Sequence, residues 1–140
     1  MAITIRRAVE ADVAAVTEIS IHAFDPSSDA ISRALFPGGF ENSDLKDWIL
    51  KRKTTRITLK GVTVMVATDD ELDHRVVGYA VWFPPVVDEA DAPAPPPKIE
   101  VKGMDLEAME RLKNIMMAEE AAVFGDKGSK HVWSKLRCGV

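Results

Sequence analysis

The fold is decided by the stretch VTVMVATDD (residues 62–70), the polar run ELDHR (residues 71–75) and the stretch VVGYAVWF (residues 76–83). The two outer stretches are rich in valine and aromatic residues, which favour strands. The run between them is polar and short, as in a turn. Two strand-like stretches joined in this way predict an antiparallel β-hairpin.

The residues before the hairpin predict one strand and three helices. The sequence ITIRRA (residues 3–8) is typical of a short strand with Ile3 and Ile5 on one face. Between residues 10 and 24 apolar positions recur at helical spacing, and acidic residues lie in the first turn, where the helix dipole favours them. Residues 30–36 and 43–57 predict two further helices, separated by turn-forming runs.

The residues after the hairpin predict a connector, a long helix and a last strand. Residues 84–103 contain APAPPP and predict an extended connector, because proline cannot continue a helix or a central strand. Asp105 can cap a helix that reaches about Phe124. HVWSKLRCGV (residues 131–140) then alternates apolar residues like a half-buried strand.

The predicted order is therefore β-α-α-α-β-β-α-β in a single domain over residues 1–140. This order predicts an α/β (α+β) fold with a mostly antiparallel sheet of about four strands and helices packed around it. A chain of 140 residues is long enough to bury a core.

Composition excludes several classes of protein. Hydrophobic residues make up 46% and charged residues 29%, the balance of a globular protein, and the net charge of −4 argues against nucleic-acid or anionic-membrane partners. No apolar run is long enough to span a bilayer, and the first residues have no signal-peptide pattern. A lone cysteine forms no internal disulfide and the histidines have no metal-like spacing, so we expect a cytoplasmic protein without a metal site.

Two motifs carry a resemblance to a known family. IRRAVEADVAAVTEISIHAF (residues 5–24) followed by VMVATDDELDHRVVGYAVW (residues 64–82) resembles the first half of the GNAT superfamily of acetyl-CoA-dependent N-acetyltransferases, especially its fungal members. The resemblance implies a GNAT-like fold, acetyl-CoA as cofactor and acyl transfer to a small-molecule or peptide amine. One departure is Val9, where the family usually has a Thr or Ser that caps the first helix, which weakens the helix start by about 1 kcal/mol.

A second departure concerns the cofactor's pyrophosphate. In the family, the strand that matches WSKLRCGV (residues 133–140) leads into a Pro and a Q/R-x-x-G-x-G/A loop at a helix N-terminus, whose backbone N–H groups hold the pyrophosphate. The sequence reaches Val140 before that loop, and neither PGG (residues 37–39) nor GDKGS (residues 125–129) replaces it. We therefore expect the chain to form the N-terminal half of the fold, with the C-terminal half absent. Truncated in this way, the chain alone is expected to be weakly active or inactive.

The resemblance also implies which residues face the cofactor. In the family, the backbone at the end of the fourth strand faces the acetyl-thioester and the pantetheine arm. The matching candidates are Leu136, Arg137, Cys138, Gly139 and Val140. The alternative is an ordinary strand with a buried free thiol.

The amine side of the site has its own candidates. Direct transfer needs a group that takes a proton from the amine, and the carboxylates of Glu119 and Glu120 on the long helix are candidate catalytic bases. A solvated helix face is the alternative for this pair. His22, Phe24 and Asp25 lie in the segment that borders the acceptor site in the family and are candidate substrate-binding residues; a surface histidine is the alternative for His22.

Two further patterns have mainly structural interpretations. LKRKTTRITLK (residues 50–60) gathers five basic residues that suit an anionic partner, but charge runs on helices are usually solvated faces. The apolar positions of the long helix, from Leu106 to Val123, favour a core stripe, with a substrate wall or a dimer face as alternatives. Tyr79, the only tyrosine, does not match the family's acid, which comes from the missing half.

Three hypotheses follow from the sequence. The chain is part of an N-acetyltransferase, a non-catalytic GNAT-like binding or dimerisation module, or an enzyme completed by another chain. If nothing follows the last strand, its outer edge and an apolar face lack a cover, which predicts a homodimer through that strand or a complementing chain.

Overall fold

The computed structural model describes residues 2–39, 41, 44–86, 101–129, 132 and 134–139, the last six by their backbone alone. Four strands form one sheet: β1 (Ile3–Arg7), β2 (Thr63–Asp69), β3 (Arg75–Phe83) and β4 (Ser134–Gly139). The α-helices are α1 (Val13–Ala23), α2 (Ala30–Leu35), α3 (Leu45–Thr58) and α4 (Leu106–Phe124). The strands lie side by side in chain order, and every neighbouring pair is antiparallel.

This architecture confirms the predicted fold class and the predicted order of elements. The hairpin of β2 and β3 is present, with a short 3-10 turn at Asp70–Leu72 between the strands. Three of the residues on which predictions were made, His131, Trp133 and Val140, and most of the proline-rich connector (residues 87–100) lie outside the described residues.

One face of the sheet carries the main core. Val64 and Val66 of β2 lie opposite Val81 and Tyr79 of β3, and all four side chains are buried. Val16 of α1 is fully buried against them. Because side chains alternate along a strand, every second residue of the hairpin points toward α1 and α3.

A second apolar cluster holds α2, α3 and α4 together. Its buried members are Leu35, Phe36, Leu45, Ile49 and Ala108. Asp105 caps α4 as predicted, because its carboxylate accepts the Ala108 N–H at 2.9 Å.

The interpretation of α4 as a continuous core stripe is wrong. Only Ala108 of this helix is buried, and Met109 and Leu112 are partly buried. Leu106, Met116 and Val123 are exposed by 75%, 59% and 70%. The helical period places these residues on one side of α4. Met109 and Leu112 pack against the second cluster and Met116 lines a cleft between the helices, but Leu106 and Val123 are exposed.

On the opposite face of the sheet, the described residues of three strands include two apolar rows. Ile5, Ala67 and Gly78 form one row across three strands, and Met65 lies opposite Ala80 in the next row. Ile5 is 62% exposed, and Met65, Ala67 and Ala80 are half-buried. Water-facing positions of an antiparallel sheet are usually polar, so an apolar row here is typical of a face that another surface covers.

The start of α1 compensates for the absent cap at Val9. The Asp12 carboxylate accepts the Val9 N–H at 2.8 Å and two N–H groups of the Arg6 guanidinium at 2.7 and 2.8 Å. The Arg6 hydrogen bonds hold the pKa of Asp12 below its usual range, with the Val9 N–H acting in the same direction. The weakness predicted from Val9 alone is therefore offset by a neighbouring carboxylate.

Candidate functional site

A cleft of about 410 Å³ lies between the helices on the core face of the sheet. Side chains from all four α-helices line it, together with Met104 just before α4. Most of the lining is apolar: Phe24, Leu35, Phe36, Leu45, Trp48, Ile49, Met104, Met109, Leu112 and Met116. A volume of this size suits a small organic molecule.

The rest of the cleft lining is polar and basic. Arg52, Lys53 and Arg56 of α3 line the cleft with Ser20 and Ser32, and no Asp or Glu belongs to its described lining. Arg52 stacks on the Trp48 ring with its guanidinium carbon 4.7 Å from the ring centroid. The cleft is therefore apolar at one end of α3 and cationic at the other.

The basic run of α3 is not simply a solvated face. Lys51 and Lys60 are exposed, but Lys53 is only 7% exposed, and Arg52 and Arg56 are half-buried. Lys53 follows Ile49 by four residues and Leu45 by eight, so it shares their buried side of the helix. This spacing was present in the sequence and is the signal that would have identified Lys53.

A directed chain of hydrogen bonds lies behind the cleft. The Lys53 ammonium is 2.7 Å from the Tyr79 hydroxyl, which is 2.9 Å from the Ser20 hydroxyl, which is 2.7 Å from the Val16 carbonyl oxygen. A carbonyl only accepts and a hydroxyl has one proton, so Ser20 donates to Val16 and Tyr79 donates to Ser20. Lys53 donates to the Tyr79 hydroxyl, and this series of hydrogen bonds keeps the positively charged Lys53 ammonium at the wall of the cleft.

Tyr79 also connects the cleft to β4. Its backbone lies opposite Gly139, and Ala80 lies opposite Cys138. The register then shifts, because Trp82 lies opposite Lys135, which leaves Leu136 and Arg137 facing Val81 alone. Such a bulge leaves backbone groups unpaired and is frequent beside active sites.

Of the predicted cofactor residues, Leu136 and Arg137 lie at this bulge, Cys138 and Gly139 pair with β3, and Val140 lies outside the described residues. The structure separates the predicted substrate residues. Phe24 lines the cleft. His22 is exposed and lines a different cavity, of about 310 Å³, with Leu72 and Arg75. The Asp25 carboxylate accepts the Ser27 N–H at 2.8 Å, and hydrogen bonds from Ser27 hold its pKa below the usual range, so it has a local role in the turn after α1.

The predicted bases are not in the described lining of the cleft. Glu119 and Glu120 lie on the exposed second half of α4. One carboxylate oxygen of Glu120 accepts both the backbone N–H and the hydroxyl of Ser129, each at 2.7 Å, and these bonds lower its pKa. The catalytic role of the two residues stays a prediction.

One stretch satisfies the pattern of the phosphate loop without its geometry. RVVGYA (residues 75–80) matches R-x-x-G-x-A, but it forms part of β3, whose backbone pairs with β2 and β4. A phosphate loop needs unpaired N–H groups at a helix N-terminus. These residues therefore cannot supply that contact.

Within the described residues, no three His, Cys, Asp or Glu side chains are grouped closely enough to hold a metal ion. In the same part of the chain, none of the helices combines the length and apolarity that a membrane crossing requires.

Comparisons with known proteins give one structural likeness. No protein-family model matches the chain, and no match was found among curated proteins. A similar solved structure is described as histone acetyltransferase HPA2 and related acetyltransferase from Corynebacterium glutamicum; it is 22% identical, and the match covers 90% of this chain and 74% of that chain with a TM-score of 0.43. A likeness at this level assigns no function, so the fold described above rests on the chain's own elements and strand order.

Proposed function

We propose that the chain is the acceptor-side part of an acetyl-CoA-dependent N-acetyltransferase, which transfers an acetyl group to an amine. The observation that carries the proposal is the position of Tyr79. Its hydroxyl lies behind the cleft and is hydrogen-bonded to Ser20 and Lys53 of the cleft lining, and its backbone pairs with Gly139 of β4. Tyr79 therefore connects the lining of the cleft, where we place the amine, to the strand along which we place the thioester.

The cleft suits the amine side of this reaction. The amine nitrogen must be neutral when it attacks the thioester carbonyl, forming the C–N bond while the C–S bond breaks and the coenzyme thiol leaves. Nearby positive charges disfavour the ammonium form, and Arg52, Lys53 and Arg56 supply such charges. The proton lost by the amine passes to water or to a carboxylate outside the described cleft lining.

The cofactor side rests on the backbone of β4. The backbone groups of Leu136 and Arg137, where the register shifts, are candidates to bind the thioester oxygen and the pantetheine amides. Within residues 1–140, no strand is followed by a glycine-rich loop that opens a helix. The phosphates of acetyl-CoA therefore lack their usual partner in this chain. This chain alone is therefore expected to transfer acetyl groups weakly or not at all.

The test is a titration of the ¹⁵N-labelled chain with acetyl-pantetheine and with acetyl-CoA. We expect both to bind more weakly than about 100 μM, roughly −5.5 kcal/mol, and to shift the amide resonances of residues 136–139. β1 (Ile3–Arg7), which two strands separate from β4, serves as the internal control. If the amide resonances of β4 do not shift at saturation, the proposal is contradicted. Much tighter binding of acetyl-CoA than of acetyl-pantetheine would show that this chain does hold the phosphates.

A second candidate function, a dimerisation module, is favoured by the position of β4 in the sheet. β4 is the last strand of the described sheet, and its outer edge offers backbone groups for pairing with a second copy about a two-fold axis. The sheet would then continue from one copy into the other.

Concentration-dependent hydrogen exchange distinguishes this second candidate. If two copies pair through β4, amides on its outer edge become more protected as the protein concentration rises, and light scattering reports a dimer. The outer edge of β1, at the other side of the same sheet, is the matched control. A protein that stays monomeric at every concentration would contradict this second candidate. So would amide protection that rises with concentration at the outer edge of β1 and not at β4.

A further inference from the structure

We infer that a second cavity, between α1 and the turn end of the β2–β3 hairpin, binds a small zwitterion: a free α-amino acid with an apolar side chain. The cavity has a volume of about 310 Å³, which suits a molecule of that size. Glu18 is assigned to the ammonium of the ligand and Arg75 to its carboxylate. The inference involves neither the cleft nor acetyl transfer, so it can hold or fail independently of the function proposed above.

The two walls of the second cavity come from different elements. Glu18 and His22 are four residues apart, so they lie along one side of α1 and form part of one wall. The turn end of the hairpin forms the other wall and contributes Leu72 and Arg75. The negative charge of Glu18 and the positive charge of Arg75 therefore belong to different walls of one cavity.

These two charged side chains have no partner in the protein. Glu18 and Arg75 line the same cavity, yet they do not form an ion pair with each other. In the described part of the chain, neither side chain forms a hydrogen bond or an ion pair with any other group. His22 differs because it interacts electrostatically with the Asp25 carboxylate, so no ligand group is assigned to it. Two unpaired charges of opposite sign are the electrostatic complement of a zwitterion.

The remaining lining of the second cavity is apolar. It consists of Ala15, Ile19, Leu72, Val76 and Val77. Ile19 and Val76 pack against the main core, which fixes this surface before a ligand binds. Leu72 is 52% exposed, so an aliphatic side chain that contacts it removes apolar surface of both partners from water. An amino acid with a branched aliphatic side chain therefore matches both the charges and the apolar lining.

The chemistry of the contacts predicts weak but selective binding. A guanidinium can donate two parallel N–H groups to the oxygens of a carboxylate, and the Glu18 carboxylate can accept from an ammonium. Because Glu18 and Arg75 are exposed, each contact has the modest strength of a surface ion pair. Selectivity arises because a ligand needs both charges to make both contacts.

The test uses L-leucine as the probe and follows the amide resonances of the ¹⁵N-labelled full chain. The matched ligands are 4-methylpentanoate, which lacks the ammonium, 3-methylbutylamine, which lacks the carboxylate, and glycine, which lacks the side chain. We expect leucine to bind with a Kd of about a few millimolar or less and each matched ligand to bind at least about fivefold more weakly. Leucine should shift the resonances of residues 18–22 and 75–77.

Three results of this titration would overturn the inference. The first is no binding of leucine at about 20 mM. The second is binding of either singly charged ligand as tight as that of leucine. The third is a set of leucine-dependent shifts that leaves out residues 18–22 and 75–77.

Two variants with matched controls separate the two charges. Glu18→Gln should weaken binding of leucine at least about fivefold without weakening that of 4-methylpentanoate, and Arg75→Gln should do the same without weakening that of 3-methylbutylamine. Glu10→Gln and Arg33→Gln remove the same charges from exposed positions outside the cavity and should change leucine binding less than about twofold. Unchanged leucine binding in a cavity variant, or an equal loss in its control, would mean that this cavity is not the site. The four ligands on the unaltered protein decide the question if a variant does not fold.

Discussion

Replacing Asp12 by alanine is expected to lower the free energy of unfolding by about 3 kcal/mol, because three hydrogen bonds, two of them to a charged guanidinium, are lost. The carboxylate is 6% exposed in the folded chain, so water replaces few of these bonds. Arg6 is partly exposed and regains water, which limits the loss. Urea unfolding at neutral pH measures the change.

The pH dependence of this effect has a definite sign. The folded chain lowers the pKa of Asp12, so the stability that its carboxylate contributes is fully present above the ordinary Asp pKa of about 3.9 and is lost as the pH falls through the lowered folded value. The difference between the original chain and Asp12→Ala should therefore shrink below about pH 4. Glu10→Ala, an exposed change in the same turn, is the control and should cost less than about 0.5 kcal/mol. A difference that stays constant with pH would mean that the carboxylate charge is not the source of the effect.

Replacing Tyr79 by phenylalanine is expected to lower the free energy of unfolding by about 2 kcal/mol. The ring and its packing remain, but the buried ammonium of Lys53 loses the oxygen at 2.7 Å and the buried Ser20 hydroxyl loses its donor. Removing one partner of a buried charged bond costs more than replacing the charge by an apolar group of similar shape.

The variant Lys53→Met is the companion that makes this test specific. Methionine removes the buried charge, so we expect a cost below about 1 kcal/mol, and Tyr79→Phe should cost less in the presence of Lys53→Met than alone, with a coupling of about 1 kcal/mol. Additive effects in thermal or urea unfolding would show that the hydroxyl and the ammonium do not interact in solution.

The strands and helices of this protein could be predicted from its sequence because their signals are local. The alternation of valines in β2, the helical spacing in α1 and the Asp105 cap of α4 each involve residues a few positions apart. The mixed α/β class and the order of elements follow from these signals.

The candidate site could be predicted only in part. The resemblance points to Leu136–Val140, of which Leu136 and Arg137 lie at the bulge, but no local pattern shows that β4 gains one residue against Val81. Lys53 was read as part of a solvated basic run, although its spacing from Leu45 and Ile49 indicated burial. A charged residue is assigned to the surface by default because burial of a charge is costly, and a hydrogen-bond partner such as Tyr79 lowers that cost.

By itself, the sequence determined the elements and their order, since periods of 2 and 3.6 residues set these over short distances. Tertiary structure alone decided which charged and polar groups meet. Lys53, Tyr79 and Ser20 come from three separate elements, and a hydrogen bond between them depends on how α1 and α3 lie across β3 to within about an ångström. The same packing leaves half of the α4 stripe exposed and turns a basic run into one wall of a cleft.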